Sequence, residues 1–199
     1  MTERPIIFDG ESVRAILDGR KTQTRRVINP QPSESFSPSS RLVIGYYPTL
    51  VGKDGEEYPG KMVHGVADEE EGYVCPYGCG LDRLWVRETW CRGQTEDGED
   101  AVQYRADGGN PFEGRWTTPI HMPRWASRIT LEVVSVRVER LNEISDEDCA
   151  DEGIETHFQG TPISGLRYEY AARWDTINGH RCPWDSNPLV WVVEFRRLP

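Results

Sequence analysis

The sequence predicts an α+β fold: a small mixed β-barrel with flanking helices and long loop insertions. Three observations carry this. Strand-like stretches are scattered, and the helical stretches between them follow no alternating βαβ rhythm, which argues against a doubly wound sheet. The apolar run from Ile129 to Val138 is long for one straight strand and changes phase midway, as a strand bending round a barrel corner would. The 199 residues suit one domain, 1–199, with insertions at about 29–80, 92–120 and 155–188.

The elements follow in order. Arg4 to Phe8 is a short apolar strand. Glu11 to Asp18 is a helix with Ser12 available as a cap, Val13, Ile16 and Leu17 on one face, and Gly19 as its stop. Residues 29–41, rich in Pro and Ser, read as loop, and 42–80 as β-like pieces among Gly, Pro and acidic turns. Leu84 to Thr89 is a strand with Leu84 and Val86 on one side and Trp85 and Arg87 on the other. Gln94 to Asp100 is an acidic loop, and Ala101 to Ala106 a strand. Within Arg128 to Leu141, Ile129, Leu131 and Val133 alternate, then Val134, Val136 and Val138 alternate on the opposite parity, so a bulge or bend is expected near Val133-Val134. Ser145 to Glu152 is a helix capped by Ser145 and Asp148 and stopped by Gly153. Ser164 to Asn178 is another, with a stripe of Leu166, Tyr170, Trp174 and Ile177. Cys182 to Pro188 is a turn-rich loop. Leu189 to Arg197 is apolar on both faces and therefore central in its sheet.

The formal charge of −10 excludes a protein that lives by wrapping long duplex nucleic acid. The charge is uneven. Arg14, Arg20, Lys21, Arg25 and Arg26 against Asp18 give the stretch from Arg14 to Arg26 a local balance of +4. A basic mouth on an acidic body suits a small polar or anionic ligand, or a short single-stranded segment. The acidic clusters elsewhere could serve a protein partner. No run of eighteen apolar residues and no export signal is found, so no membrane partner is expected. Five irregularly spaced cysteines suit a reduced, cytoplasmic setting.

The stretch Gly19-Arg20-Lys21-Thr22-Gln23-Thr24-Arg25-Arg26 is the richest in chemistry. A lysine three residues before a threonine becomes its neighbour if the backbone makes one helical turn. Lys21 then takes the Thr24 proton and Thr24 becomes a nucleophile. A straight strand defeats this, because positions three apart face opposite sides, so Lys21 to Thr24 is expected to be a turn or bent. The plainer alternative is a set of solvated charges after a helix. Glu152 draws notice for another reason: it ends its helix where the macrodipole disfavours an anion.

The pattern Gly19-x-Lys21-x-x-Thr24-x-Arg26 resembles the signature of the ASCH domain family, relatives of the PUA RNA-binding fold. Further stretches are similar: Gly80 to Glu88, Ile129 to Val138, Leu141-x-x-Ile144-Ser145 and Val190 to Phe195. The whole chain resembles phage and prophage proteins with this domain, around Leu84 to Trp90, His121 to Arg128 and Trp174 to Gly179. The resemblance implies a PUA-like barrel in the cytoplasm of a bacterial or phage-infected cell. It also implies an activity, since some small bacterial members are amidohydrolases that remove acetate from N4-acetylcytidine. Their lysine, threonine and glutamate fall on Lys21, Thr24 and Glu152, with Glu88 as rival acid. Arg26 and backbone N–H groups would hold the oxyanion, and Arg20 and Arg25 would add to the basic mouth. This chain departs from those enzymes in being about twice as long and in carrying Arg25 where they have an apolar residue.

A second candidate site is His121 to Arg128, where Arg124 and Arg128 flank Trp125; with Trp85 and Arg87 these residues offer base-stacking surfaces. Packing is the alternative role for each tryptophan. Cys75 and Cys79, with His64 and Cys91 or His180 and Cys182 further off, form a weak structural zinc pattern, and no cofactor is expected. Three functions compete: an amidohydrolase of a modified nucleoside, a non-catalytic module reading RNA, DNA or a modified base, and a nuclease.

Overall fold

The computed structural model describes residues 2–32, 43–66, 72–95, 97–112, 114–155 and 165–199. In chain order the strands are β1 (Glu3–Ile7), β2 (Gln23–Val27), β3 (Val43–Tyr46), β4 (Thr49–Val51), β5 (Glu57–Pro59), β6 (Val63–Val66), β7 (Gly72–Tyr73), β8 (Arg83–Arg87), β9 (Trp90–Gln94), β10 (Asp100–Tyr104), β11 (Thr130–Arg140) and β12 (Leu189–Arg197). The α-helices are α1 (Gly10–Leu17), α2 (Asp146–Asp151) and α3 (Leu166–Asn178). The fold is α+β, as the sequence predicts.

Five strands form the main sheet in the order β1-β8-β11-β12-β2, with β1 and β8 parallel and the other pairs antiparallel. Among the described residues no strand pairing joins β1 to β2. A side chain spans that gap instead: Arg26 Nη2 donates to the Ile7 carbonyl at 2.7 Å. The expected barrel thus takes the form of a five-stranded sheet whose end strands are tied by an arginine. The remaining strands make small sheets of their own, β3-β6-β7, β4-β5 and β9-β10. His64 of β6 is buried against the edge of Trp191, 5.1 Å between ring centres, with Nε2 3.2 Å from the Val136 carbonyl.

The central strand β12 organises the interior by simple alternation. Leu189, Trp191, Val193 and Phe195 enter a core with Ile6, Phe8, Val13, Ile16, Leu84 and Leu131. Val190 and Val192 enter a second core with Leu141, Ile144, Tyr170 and Trp174. Apolar residues on both faces of this strand therefore mark its position between two cores.

The phase change in β11 is a bulge. Val133 pairs with Phe195 and Ser135 with Glu194, leaving Val134 unmatched and 55% exposed. Helix α1 differs from expectation at its start. Asp9, not Ser12, is the cap, accepting from Ser12 N at 2.7 Å, because a carboxylate three residues back reaches that amide directly. Helix α2 carries the expected box of Ser145 and Asp148, and Glu152 is its C-cap. On α3, Tyr170 and Trp174 are buried but Ile177 is half exposed, which shortens the predicted stripe. The Pro/Ser-rich loop from 33, the Asp68–Glu71 cluster and Ser164 lie outside the described residues. No helix among the described residues is long and apolar enough to cross a membrane.

The bulge makes a direct prediction. Leu131→Ala, fully buried, costs about 2–5 kcal/mol, whereas Val134→Ala stays within about 0.5 kcal/mol. Urea denaturation of both variants checks this, and equal losses would contradict the phase assignment.

Candidate active site

A cleft of about 440 Å³ opens where the end of β1, the start of α1, strand β2, the end of α2 and helix α3 converge. Its walls include Phe8, Asp9 and Ser12 from the β1–α1 junction, and Lys21, Thr24 and Arg26 from β2 and the segment before it. Glu152 comes from the end of α2, and Tyr170, Arg173 and Trp174 from α3. The volume lies within the range of small-ligand sites.

At its floor Lys21 and Glu152 form a buried ion pair, 2.5 Å between Nζ and Oε2, with side chains 4% and 5% exposed. Lys21 Nζ also donates to the Glu152 carbonyl at 2.8 Å. The other carboxylate oxygen accepts from the Arg25 backbone N–H at 2.6 Å and from the Tyr170 hydroxyl at 3.4 Å. Burial lowers the lysine's pKa, the charge and hydrogen bond of Glu152 oppose that, and Arg26 and Arg173 push it further down. Burial likewise raises the Tyr170 hydroxyl well above its ordinary value, with Glu152 adding to it.

Gly153 lets these chains meet. It holds φ +84°, and a Cβ there would lie 2.8 Å from Ala15 Cβ and 3.1 Å from Lys21 Cβ. The end of α2 is further tied by Thr22 N donating to the Asp151 carbonyl at 2.8 Å.

The backbone from Lys21 to Thr24 is not the helical turn that the spacing invites. Lys21 makes an isolated bridge to Glu152, and regular pairing starts only at Gln23. The break at Thr22 suspends strand alternation, so Lys21 and Thr24 line the same cleft. Thr24 is buried, and its hydroxyl makes no hydrogen bond to another described residue.

Alternation along β2 sorts the arginines. Arg25 has a fully buried side chain and pairs with Asp148 at 2.8 Å and Glu139 at 3.0 Å, so it braces the sheet. Arg26, on the face of Thr24, sits 5.0 Å over the Phe8 ring, and Lys21 Nζ lies 5.8 Å from the same ring. Arg20 points away, paired with Asp18 at 2.8 Å and Glu155 at 3.1 Å.

The other candidates gather elsewhere. Glu88 is buried under Arg128, with contacts of 2.9 and 3.1 Å, and Arg128 continues to Asp107. Burial raises the Glu88 pKa against the pull of Arg128. Arg87 stacks 4.5 Å over Trp85, with Arg124 5.9 Å from that ring and paired to Glu3. Trp125 is 62% exposed, edge-on to Trp90, with Arg92 5.7 Å from its ring. None of these lines the cleft of Lys21. Cys75 is buried, its thiol pushed up to about 12 by burial, and Cys79 lies 4.0 Å from Asp82. Among the described residues no three His, Cys, Asp or Glu side chains gather as a metal site would require.

Sequence reasoning missed Phe8, Asp9 and Arg173 as cleft residues and saw Tyr170 only as core. Arg173 Nη2 contacts both Asp9 oxygens, at 3.0 and 3.1 Å, and Ser12 Oγ at 3.2 Å, linking α3 to α1. The one signal available was that Tyr170 and Arg173 lie three apart, on one side of the helix.

The chain matches no known family model and no curated protein. Among solved structures it is similar to an ASCH domain from Lactobacillus crispatus JV V101, at 12% identity over 98% of this chain and 79% of that one, with a TM-score of 0.40. It is also similar to a protein from Enterococcus faecalis V583 with the family description DUF984, at 11% identity over 100% of this chain and 80% of that one, with a TM-score of 0.41.

Two variants test how the cleft is built. Glu152→Ala leaves Lys21 buried without its carboxylate and is expected to cost about 3–5 kcal/mol. Gly153→Ala, strained in backbone and crowded by Ala15, is expected to cost about 1–3 kcal/mol. Chemical denaturation measures both, and a neutral Gly153→Ala would show that α2 does not press on Lys21 as described.

Proposed function

We propose that this protein is an amidohydrolase that removes an acyl group from the exocyclic nitrogen of a modified nucleoside, with N4-acetylcytidine as the substrate to try first. The observation that carries the proposal is the shared cleft: a buried lysine, a threonine hydroxyl without a partner among the described residues and a glutamate gripping that lysine. The resemblance of Gly19-x-Lys21-x-x-Thr24-x-Arg26 to the ASCH signature supports it, as do the aromatic walls at Phe8, Tyr170 and Trp174.

Lysine is an effective base only when neutral, and burial moves Lys21 in that direction. Thr24 Oγ attacks the acyl carbon and its proton passes to Lys21. The carbonyl electron pair moves onto oxygen. When the pair returns, the C–N bond breaks and the leaving nitrogen takes up the proton from Lys21. Water, deprotonated by the same amine, then adds to the acyl-threonine; the C–Oγ bond breaks, Thr24 Oγ takes the proton back from Lys21, and the carboxylic acid leaves. Glu152 keeps the amine aimed and offsets its positive charge while it carries the proton.

A second reading, a binding module without chemistry, is favoured by one observation: Lys21 Nζ contacts Glu152, with no hydrogen bond to Thr24. Thr24→Val separates the two, because a binder tolerates it and the enzyme does not. Purified protein is incubated with N4-acetylcytidine beside Lys21→Ala and Thr24→Ala, and cytidine and acetate are followed by chromatography. Products from wild type alone support the enzyme. Ligand binding without turnover supports the module.

The pH profile adds a check. The kcat/KM value is expected to rise with pH as Lys21 loses its proton, and to level off below the ordinary lysine value of about 10.4. Glu152 raises the Lys21 pKa, so the residual activity of Glu152→Gln should rise at lower pH than that of wild type. An unmoved limb would separate the titration from Lys21.

A further inference from the structure

We infer that Asn178 is a specificity-determining residue of this site: its amide binds the hydroxyl pair of a ribose, so the substrate is an N-acylated ribonucleoside rather than a deoxyribonucleoside. The inference rests on the amidohydrolase reading above and adds to it the part of the substrate that does not react.

One face of α3 forms a whole wall of the cleft. Tyr170, Arg173, Trp174, Ile177 and Asn178 all line it. Their spacing places them on a single side of the helix, within an arc of about 140°. The wall runs from floor to mouth. Tyr170 is 5% exposed and its hydroxyl lies 3.4 Å from Glu152 Oε1, so it marks the reacting end. Trp174 is as deeply buried, whereas Ile177 is half exposed. Asn178 stands beyond them on the same face, about 12 Å along the axis from Tyr170.

An N-acylated nucleoside follows the same order: acyl group, base, sugar. With the acyl carbon at Thr24 and Lys21, the base lies along Trp174 and the half-exposed Ile177 and Ile7, which offer it apolar surface. The sugar then reaches Asn178. Among the described residues the Asn178 side chain makes no hydrogen bond, so its amide is free for a ligand. Its backbone is fixed all the same. The Asn178 carbonyl accepts from Arg181 N at 2.8 Å and Cys182 N at 2.9 Å. Trp174 Nε1 donates to the Cys182 carbonyl at 2.8 Å, and Trp184 N to Asp175 Oδ1 at 2.7 Å.

The chemistry of the group selects the ligand. A side-chain amide donates and accepts at once, as a pair of sugar hydroxyls does. A phosphate would call for a cation, and the one on this wall, Arg173, is held by Asp9 and Glu11.

The test compares N4-acetylcytidine with N4-acetyl-2′-deoxycytidine as substrates of wild type and Asn178→Ala. Wild type is expected to favour the ribonucleoside in kcat/KM by about three- to tenfold, the worth of one hydrogen bond. Asn178→Ala is expected to bring that preference close to one by raising KM for the ribonucleoside while kcat holds, the pattern of a contact equally present in ground and transition states. Its melting temperature is expected to match wild type, since the amide removed has no partner in the fold. No preference in wild type, or a preference that survives in Asn178→Ala, would overturn the inference. So would an equal loss on both substrates, as a contact to the base would give.

Calorimetric binding of cytidine and 2′-deoxycytidine, the two products, needs no turnover. Cytidine is expected to bind wild type about three- to tenfold more tightly, and Asn178→Ala to bind both alike. If wild type fails to turn over N4-acetylcytidine, the amidohydrolase reading falls by itself. The binding preference, present in wild type and lost in Asn178→Ala, would then still support the sugar contact. Equal binding of the two by wild type, or binding of neither, would overturn it.

Discussion

Lys21 and Glu152 stand 131 residues apart in the chain and meet in a contact that water scarcely reaches. Taking both charges out of solvent costs several kcal/mol each, and their attraction recovers this only with good geometry and further hydrogen bonds. The fold provides both. Glu152 receives the Arg25 amide and the Tyr170 hydroxyl on one oxygen and the lysine on the other. Its carbonyl takes a second bond from the same ammonium. The pair therefore fixes where α2 ends, how the chain enters β2 and which face of α3 turns inward. Gly153 is tied to the same requirement, since any side chain there would hold α2 off the lysine.

This arrangement also settles an edge. Strand β2 ends the main sheet, and an exposed edge presents unpaired amides. Here the Glu152 carboxylate takes the Arg25 amide and Lys21 bridges to Glu152, so the end of α2 covers the edge where the cleft forms. Once β2 is held this way, alternation does the rest. Gln23 and Arg25 turn toward Asp148, while Thr24 and Arg26 turn toward the cleft and Phe8.

These features were unequally legible in the sequence. The bulge in β11 could be read because a parity change among valines has one simple structural meaning. The α2 cap and stop were legible for the same reason: Ser145, Asp148 and Gly153 act within a few residues of one another. Lys21 and Thr24 stood out as an unusual pair, and of the turn or bend that their spacing demands the chain takes the bend, a break at Thr22. The partnership with Glu152 was legible only through resemblance, because no local rule links positions so distant. Arg25 and Arg26 looked equivalent as adjacent charges, and only the strand assignment separates a buried, ion-paired brace from an arginine turned toward Thr24 and Phe8. The Trp85, Arg87, Arg124, Trp125 and Arg128 group has the right chemistry for stacking, but β8 and the segment just before β11 hold it away from the cleft. Arg173 reaches the cleft through α3, whose approach to α1 no periodicity encodes.

The charge distribution has a consistent logic. A general base must shed its proton near working pH, and a lysine does so only if its charged form is penalised. Burial alone would supply the penalty but leave the amine unaimed. Glu152 aims it, at the cost of raising its proton affinity. Arg26 and Arg173, close enough to act on the lysine, offset part of that rise. The carboxylate that holds the lysine and the arginines that oppose its protonation thus act on one amine in opposite directions, as the proposed base would need. On a chain with a net charge of −10, cations gathered at one mouth are otherwise hard to explain. Arg173 is already neutralised by Asp9 and Glu11, so the uncompensated part of that charge rests on Arg26, on the same strand face as Thr24.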